Sequence, residues 1–310
     1  MKGKLMNMIG KISFVILVLM LGWKLIGKAL DKNMKSVPDN YTETVETGGE
    51  IEKKYLSMGS HETAYMESST LTELEKLEIY YPKDIESMDK VPVVIFLNGT
   101  GTPASKYPSL QKHLASWGFI TIANEEPNAF YGEGVELSIR LLELVEDYES
   151  EEEQNPLKGH IDFDNIGVTG HSQGGTGVIN GTTLHQHSDL VKAAVILSSC
   201  ETDASKALLW NPDASGMKAN TLMIGSTGQT DAALAPLEGI TETFDKMSGV
   251  DKVMARRNDA DHGQMLYYAD GYVTAWFMYY LQGDEGANAF FGENAEMAHN
   301  SLYQDYRAEN

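Results

Sequence analysis

The chain has 310 residues, 42% of them hydrophobic, and a formal net charge of −21 at pH 7. A chain of this length and composition can bury the core of one large domain. The negative charge argues against nucleic acid as a partner, because binding a phosphate backbone needs clustered Lys and Arg.

The N-terminal residues differ from the rest of the chain in charge and in hydropathy. Residues 1–35 hold seven lysines and one aspartate, and an apolar run extends from Phe14 to Leu21. Because lysines ahead of an apolar run are typical of an N-terminal signal, we interpret residues 1–30 as an uncleaved signal-anchor in the membrane. A cleaved signal peptide and a buried amphipathic helix are the alternatives. Either kind of signal predicts that the rest of the chain is outside the cytoplasmic membrane, anchored or secreted.

The next stretch, residues 31–50, is polar and contains Pro38 and two glycines. This composition predicts a linker, followed by a folded domain over residues 51–310. Candidate antiparallel strands at 51–58, 64–67 and 77–81 would form the leading edge of a sheet.

From Val91 onwards, apolar runs alternate with amphipathic stretches. Val93–Leu97 is continuously apolar, as expected for a parallel strand that is covered on both faces. Repeated alternation with short connections predicts an α/β fold with a mainly parallel sheet flanked by helices, and no large lid domain. The other predicted strands of this region are 119–123, 166–169, 193–197, 221–225 and 252–256.

The stretch from Gly170 to Gly174, Gly-His-Ser-Gln-Gly, has the G-x-S-x-G pattern of a nucleophile elbow. A β-branched run precedes it, and small residues that can start a helix follow it. A serine on such a tight turn has a strained backbone, so its neighbours must be glycines that add no Cβ clash. We therefore predict that Ser172 is a nucleophile exposed at the edge of the sheet.

Candidate partners of Ser172 follow later predicted strands. Asp231 comes shortly after the strand at 221–225, and His262 comes after the strand at 252–256. Chemistry in an open α/β sheet gathers at the carboxyl ends of the strands, and the order Ser, Asp, His is that of the α/β-hydrolase triad. In these roles the histidine would take the serine proton, and the aspartate would orient the imidazole.

Other residues compete for these roles. Asp203 follows the strand at 193–197 and is an alternative triad acid, while Asp231 could instead cap a helix. His171 lies within the elbow itself, and we expect it to point away from its own nucleophile. His262 therefore remains the preferred base.

Attack by a serine on a carbonyl group creates an oxyanion, which needs two backbone N–H donors close to the developing charge. We expect one from Gln173, directly after the nucleophile, and the other from Thr100, in the turn after the strand at Val93–Leu97. The loop after the strand at 119–123 carries Phe130 and Tyr131. These two aromatic residues could contact the substrate, or could equally be packing residues.

From about residue 75 to residue 292 the chain resembles bacterial α/β hydrolases of the dienelactone hydrolase, chlorophyllase and cutinase-like polyester hydrolase group. The resemblance implies an α/β-hydrolase fold and an ester hydrolase with the triad and oxyanion roles given above. The 31 positions between Asp231 and His262 also suit this group. The stretches that carry the resemblance are Phe96–Gly101, Leu114–Phe119, Gly170–Gly175, Asp231 with Ala235-Pro236, and Thr274–Phe277.

The chain departs from the polyester hydrolases of this group at three points. Those enzymes commonly have an aromatic residue at the first oxyanion position and a methionine after the nucleophile, where this chain has Thr100 and Gln173. Their C-terminal disulfide cannot form here, because Cys200 is the single cysteine. The resemblance therefore implies an ester substrate without implying a polyester.

The sequence thus predicts a serine esterase that acts on a small-molecule, lipid or polymer ester through an acyl-enzyme. We expect no metal or organic cofactor, since the triad and oxyanion hole supply the chemistry and His185 and His187 lack a third ligand for a metal. One alternative is a catalytically silent hydrolase fold that serves as a surface-binding module. Another is an acyltransferase or amidase that uses the same triad.

Overall fold

The computed structural model describes residues 35–69, 76–147, 155–202, 205–206 and 208–310. The predicted signal-anchor at residues 1–30 lies outside these ranges. All elements named below belong to the unit that extends from Val37 to Asn310. Among the described residues, no helix has the length and apolar character needed to cross a membrane.

Nine strands of the described residues form one sheet, in the order β1-β2-β4-β3-β5-β6-β7-β8-β9. The pairs β1–β2, β2–β4 and β8–β9 are antiparallel, and the other five pairs are parallel. The predicted α/β fold, with antiparallel leading strands and a mainly parallel sheet, is confirmed. The strands are β1 (Thr63–Ser69), β2 (Lys76–Pro82), β3 (Val91–Leu97), β4 (Ile120–Asn124), β5 (Ile161–His171), β6 (Val191–Leu197), β7 (Asn220–Ser226), β8 (Lys252–Arg257) and β9 (Tyr303–Glu309).

Helices cover both faces of this sheet. Val94 and Phe96 of β3 pack into the core layer that includes α3 and α8, whereas Val93 and Ile95 pack into the layer that includes α4, α5 and α7. Burial on both faces explains why β3 is apolar throughout. The helices of the described residues are α1 (Tyr41–Thr44), α2 (Glu50–Leu56), α3 (Pro108–Ser116), α4 (Glu133–Asp147), α5 (Gln173–Gly181), α6 (Asp231–Leu234), α7 (Leu237–Lys246), α8 (Asp270–Gln282) and α9 (Glu296–His299).

The chain before β1 is part of the folded unit, which corrects the linker predicted over 31–50. Val37 and Tyr41 are buried in the core, and the stretch predicted as a strand at 51–58 contains α2 instead. The few apolar side chains of this stretch mostly face inward, and its charged side chains other than that of Glu52 face solvent, so the average composition resembles that of a linker. The folded unit therefore begins at Val37 rather than at residue 51.

A C-terminal strand that the sequence did not predict completes the sheet. β9 pairs antiparallel with β8, and only its first residue, Tyr303, is buried. An edge strand with mostly polar side chains carries no clear apolar alternation, so its pairing partner determines its conformation. β9 thereby covers the last parallel strand, which leads to the loop of His262.

Candidate active site

The predicted elbow lies between β5 and α5. Ser172 has φ = 57° and ψ = −118°, a strained conformation for a non-glycine residue. A Cβ at Gly174 would lie 2.1 Å from the carbonyl oxygen of Leu97, and one at Gly170 would lie 2.3 Å from the carbonyl oxygen of Gly174. Only glycine allows this close approach of backbones, so the glycines of the motif follow from packing as well as from strain.

The structure brings Ser172, His262 and Asp231 together in one hydrogen-bonded line. His262 Nε2 lies 3.0 Å from Ser172 Oγ, and His262 Nδ1 lies 2.5 Å from Asp231 Oδ1. The Asp231 side chain is fully buried, whereas the His262 side chain keeps 14% of its surface exposed. An imidazole placed between a hydroxyl and a buried carboxylate can accept the hydroxyl proton and return it to a leaving group.

Asp231 accepts two further hydrogen bonds at its second carboxylate oxygen. The Ser198 hydroxyl donates to Oδ2 at 2.6 Å, and the backbone N–H of Ser226 donates to it at 2.7 Å. Burial alone would raise the pKa of Asp231, but the hydrogen bonds from His262, Ser198 and Ser226 outweigh burial and lower the pKa. The carboxylate therefore stays ionised and keeps a fixed orientation toward His262.

The loop after β8 holds the backbone of His262 from two sides. The Asp261 carboxylate accepts the His262 N–H at 2.9 Å. It also accepts the backbone N–H of Gln264, whose side chain in turn accepts the Asp261 N–H at 2.7 Å, and these last two bonds form a capping box. On the other side, His171 Nε2 donates to the carbonyl oxygen of His262 at 2.7 Å. The sequence predicts only that the His171 side chain points away from Ser172. It does not predict the hydrogen bond from His171 to the His262 loop.

The turn after β3, with Thr100 exposed on it, lies against the elbow. A Cβ at Gly99 would lie 3.1 Å from His171 Nδ1 and 3.3 Å from the carbonyl oxygen of His171. Thr102 N–H donates to the carbonyl oxygen of Gly99 at 3.0 Å and closes the turn. Gln173, the other predicted donor, is the first residue of α5 and is buried. Both predicted donors therefore come from segments that adjoin Ser172.

Asn98 holds this turn in place through buried side-chain hydrogen bonds. Its Nδ2 donates to the backbone carbonyl oxygens of Asn124 and Glu126 at 2.8 and 3.0 Å, and its Oδ1 accepts from the Tyr107 hydroxyl at 2.5 Å. Asn98 is only 1% exposed, so these bonds form away from water, where they are strong. These hydrogen bonds connect the C-terminal end of β3 to the C-terminal end of β4.

Comparison with known proteins gives the family. A family model for PETase, described as PET hydrolase-like, matches residues 44–309. The chain belongs to this PET hydrolase-like family. It also matches the cutinase est1 of Thermobifida alba with 27% identity over 186 residues, which are 59% of this chain and 56% of the cutinase. The chain thus spans little more than half the length of this relative, and the predicted resemblance to cutinase-like hydrolases is confirmed.

In this PET hydrolase-like chain, Phe130 and Tyr131 lie beside the C-terminal end of α5. The Phe130 carbonyl oxygen accepts from Asn180 Nδ2 at 2.7 Å, and the Phe130 ring stacks on Trp210 with centroids 5.1 Å apart. Asn180 comes eight residues after Ser172, about 12 Å along the helix. The contacts shown by these two aromatic residues are therefore packing contacts with α5 and with the loop after β6.

Three other candidates from the sequence are placed as follows. Asp203, the alternative acid, lies outside the described residues. His185 Nε2 lies 2.9 Å from the carbonyl oxygen of Tyr131, and His187 adjoins Glu136, whose carboxylate accepts its backbone N–H at 3.0 Å. In the part of the chain that the structure describes, no three metal-ligating side chains cluster.

Acidification is expected to destabilise the protein through His171. Burial, aided by the neighbouring His262, lowers the pKa of His171 to about 3, whereas in the unfolded chain it is about 6.5. Between these values the unfolded state binds more protons, so the free energy of unfolding falls as the pH falls. From pH 7.5 to pH 4.5 this contribution is about 2–3 kcal/mol.

Urea unfolding of the wild type and of His171→Phe at both pH values measures this contribution. The variant lacks the titrating group, so its free energy of unfolding should fall less on acidification, by about 2–3 kcal/mol. An equal fall in both proteins would contradict the assignment.

Proposed function

We propose that the chain is a serine hydrolase that cleaves carboxylic esters through an acyl-enzyme on Ser172. The observation that carries the proposal is the hydrogen-bonded line from Asp231 through His262 to the Ser172 hydroxyl. Membership of the PET hydrolase-like family and the name of the matched relative, a cutinase, support an ester as the substrate.

The first half of the reaction acylates the serine. Ser172 Oγ attacks the ester carbonyl carbon while His262 Nε2 takes the hydroxyl proton, and Asp231 stabilises the imidazolium that forms. The tetrahedral intermediate then collapses, the bond to the alcohol breaks, and His262 gives its proton to the leaving alcohol. The acyl group remains on Ser172.

The second half regenerates the enzyme with water as the nucleophile. His262 takes a proton from water as the water attacks the acyl carbonyl, and returns it to Ser172 when the acid leaves. In both halves the negative carbonyl oxygen would accept hydrogen bonds from the backbone N–H groups of Gln173 and Thr100. Their place beside the elbow supports this role.

We also propose that the chain acts outside the cytoplasmic membrane, either anchored or secreted. The lysines and the apolar run of residues 1–35 support this location.

We propose that Phe130 and Tyr131 border the substrate path only for a long substrate, one that extends from the elbow to the C-terminal end of α5.

Intact-mass labelling with a fluorophosphonate tests the proposed nucleophile. Wild type is expected to gain one phosphonyl adduct, because the probe reacts with a serine that a neighbouring base activates. Ser172→Ala is expected to gain none. Ser199→Ala is the matched control, since Ser199 is a buried serine whose hydroxyl contacts Thr176 rather than His262.

The control should label as fast as the wild type. A folded wild type that stays unlabelled would contradict the proposal and would favour the silent binding module. Hydrolysis of p-nitrophenyl esters of increasing chain length, with and without an added alcohol acceptor, then separates hydrolysis from acyl transfer.

A further inference from the structure

His171 lies between the two segments that the proposed reaction uses. On one side its Nε2 donates to the backbone carbonyl oxygen of His262, and the two imidazole rings lie 4.7 Å apart. On the other side, its Nδ1 lies 3.1 Å from the place that a Cβ on Gly99 would occupy. One side chain therefore contacts both the loop of the proposed base and the turn that carries Thr100.

The two hydrogen bonds that hold the His262 backbone differ in their surroundings. Asp261 accepts the His262 N–H at the surface, where water competes for both groups. His171 is only 6% exposed, so its bond to the His262 carbonyl is better shielded from water than the bond to Asp261. A shielded hydrogen bond is stronger and costs more to break, because the carbonyl would lose its partner without gaining water.

We propose that His171 is a positioning residue, which holds the His262 backbone so that the imidazole reaches Ser172, and which does this as a neutral Nε2–H tautomer. The proposal rests on the ester-hydrolase function proposed above. It differs from that function because it assigns a role to a residue that exchanges no proton with the substrate.

The neutral tautomer follows from the acceptor and the burial. The His262 carbonyl oxygen only accepts, so the single N–H of a neutral His171 must be on Nε2. Burial is the main cause that lowers the pKa of His171 to about 3. The titratable groups that face it are His262, Asp231, and Asp270 of α8 across a cavity of about 20 Å³ beside the ring.

The expected effect on rate follows from the geometry of proton transfer. His262 Nε2 lies 3.0 Å from Ser172 Oγ, within the range in which a proton moves directly between the two atoms. A displacement of about 1 Å can cost about 10²-fold in rate. Losing the anchor of the His262 backbone should therefore lower kcat by about 10- to 100-fold, with KM nearly unchanged.

Two substitutions separate the hydrogen bond from the space that the ring fills. His171→Phe keeps an aromatic ring, for which the adjacent cavity gives space, but it removes the donor. His171→Gln places an amide N–H near the position of Nε2 and should restore kcat to within a few-fold of wild type. The matched control is His160→Phe, because His160 precedes the opposite end of β5 and likewise bonds a backbone carbonyl, that of Met88 at 2.8 Å.

Steady-state kinetics on p-nitrophenyl butyrate give the first readout. A lower kcat for His171→Phe, recovery in His171→Gln and no change in His160→Phe would support the proposal. A folded His171→Phe with the kcat of wild type would overturn it. A wild type without turnover or fluorophosphonate labelling would instead be a failure of the proposed function.

Proton NMR of the His262 Nδ1–H gives a second readout that needs no turnover. The short bond to Asp231 should place this proton far downfield in the wild type and in His171→Gln. In His171→Phe the resonance should move upfield or broaden. An unchanged resonance in that variant would overturn the proposal, whatever the protein's activity.

Discussion

Asp231→Asn is expected to lower kcat for ester hydrolysis by about 10⁴-fold, with little change in KM. Ser198 and Ser226 both donate to one carboxylate oxygen, so the amide oxygen of asparagine takes that position and the NH₂ group faces His262. His262 Nδ1 must then accept a hydrogen bond, and its proton moves to Nε2. In that tautomer the imidazole has no free acceptor for the Ser172 proton.

Stopped-flow or steady-state hydrolysis of a p-nitrophenyl ester measures the loss, and circular dichroism checks the fold. Asp251→Asn is the matched control, because Asp251 also accepts a side-chain hydroxyl, that of Tyr280 at 2.8 Å, but does not contact His262. The control should keep wild-type kcat. A loss below about tenfold in Asp231→Asn would exclude Asp231 as the triad acid and direct the same test to Asp203.

Arg257→Leu is expected to lower the free energy of unfolding by about 3–5 kcal/mol. Arg257 and Glu52 are 3% and 1% exposed, and Nη1 lies 3.1 Å from Glu52 Oε1. Arg257 also donates to the Glu46 carbonyl oxygen at 2.6 Å. Without the arginine, the Glu52 carboxylate would be a buried charge without a cation beside it, which is the reason for the large cost.

The neighbouring Arg256 provides the control on the same strand. It pairs with Asp305, and both side chains are partly exposed, at 17% and 29%. Arg256→Leu should therefore cost no more than about 1 kcal/mol in urea unfolding monitored by fluorescence. Similar losses in the two variants would mean that the Arg257–Glu52 pair is no more important to stability than a partly exposed pair.

The Arg257–Glu52 pair also shows why the start of the folded unit was misjudged from sequence. Glu52 belongs to a stretch rich in charged residues, and nothing local indicates that its carboxylate accepts from the Tyr303 hydroxyl at 2.8 Å and from Asn300 Nδ2 at 2.8 Å. These partners are more than 240 positions away. Local composition therefore predicts solvent exposure for a residue that the fold buries.

The sequence by itself determined the sheet of buried strands, the elbow at Ser172 and the order of its partners. These features depend on local causes: continuous apolar runs for two-sided burial, and glycines where backbones approach within 2.1–2.3 Å of a Cβ position. Tertiary structure alone decided the bond from Ser198 to Asp231, the bond from His171 to His262, and the pairing of β9 with β8. Each of these joins polar groups from distant segments. The position of a polar residue in the sequence has no periodicity that would indicate which residue it bonds.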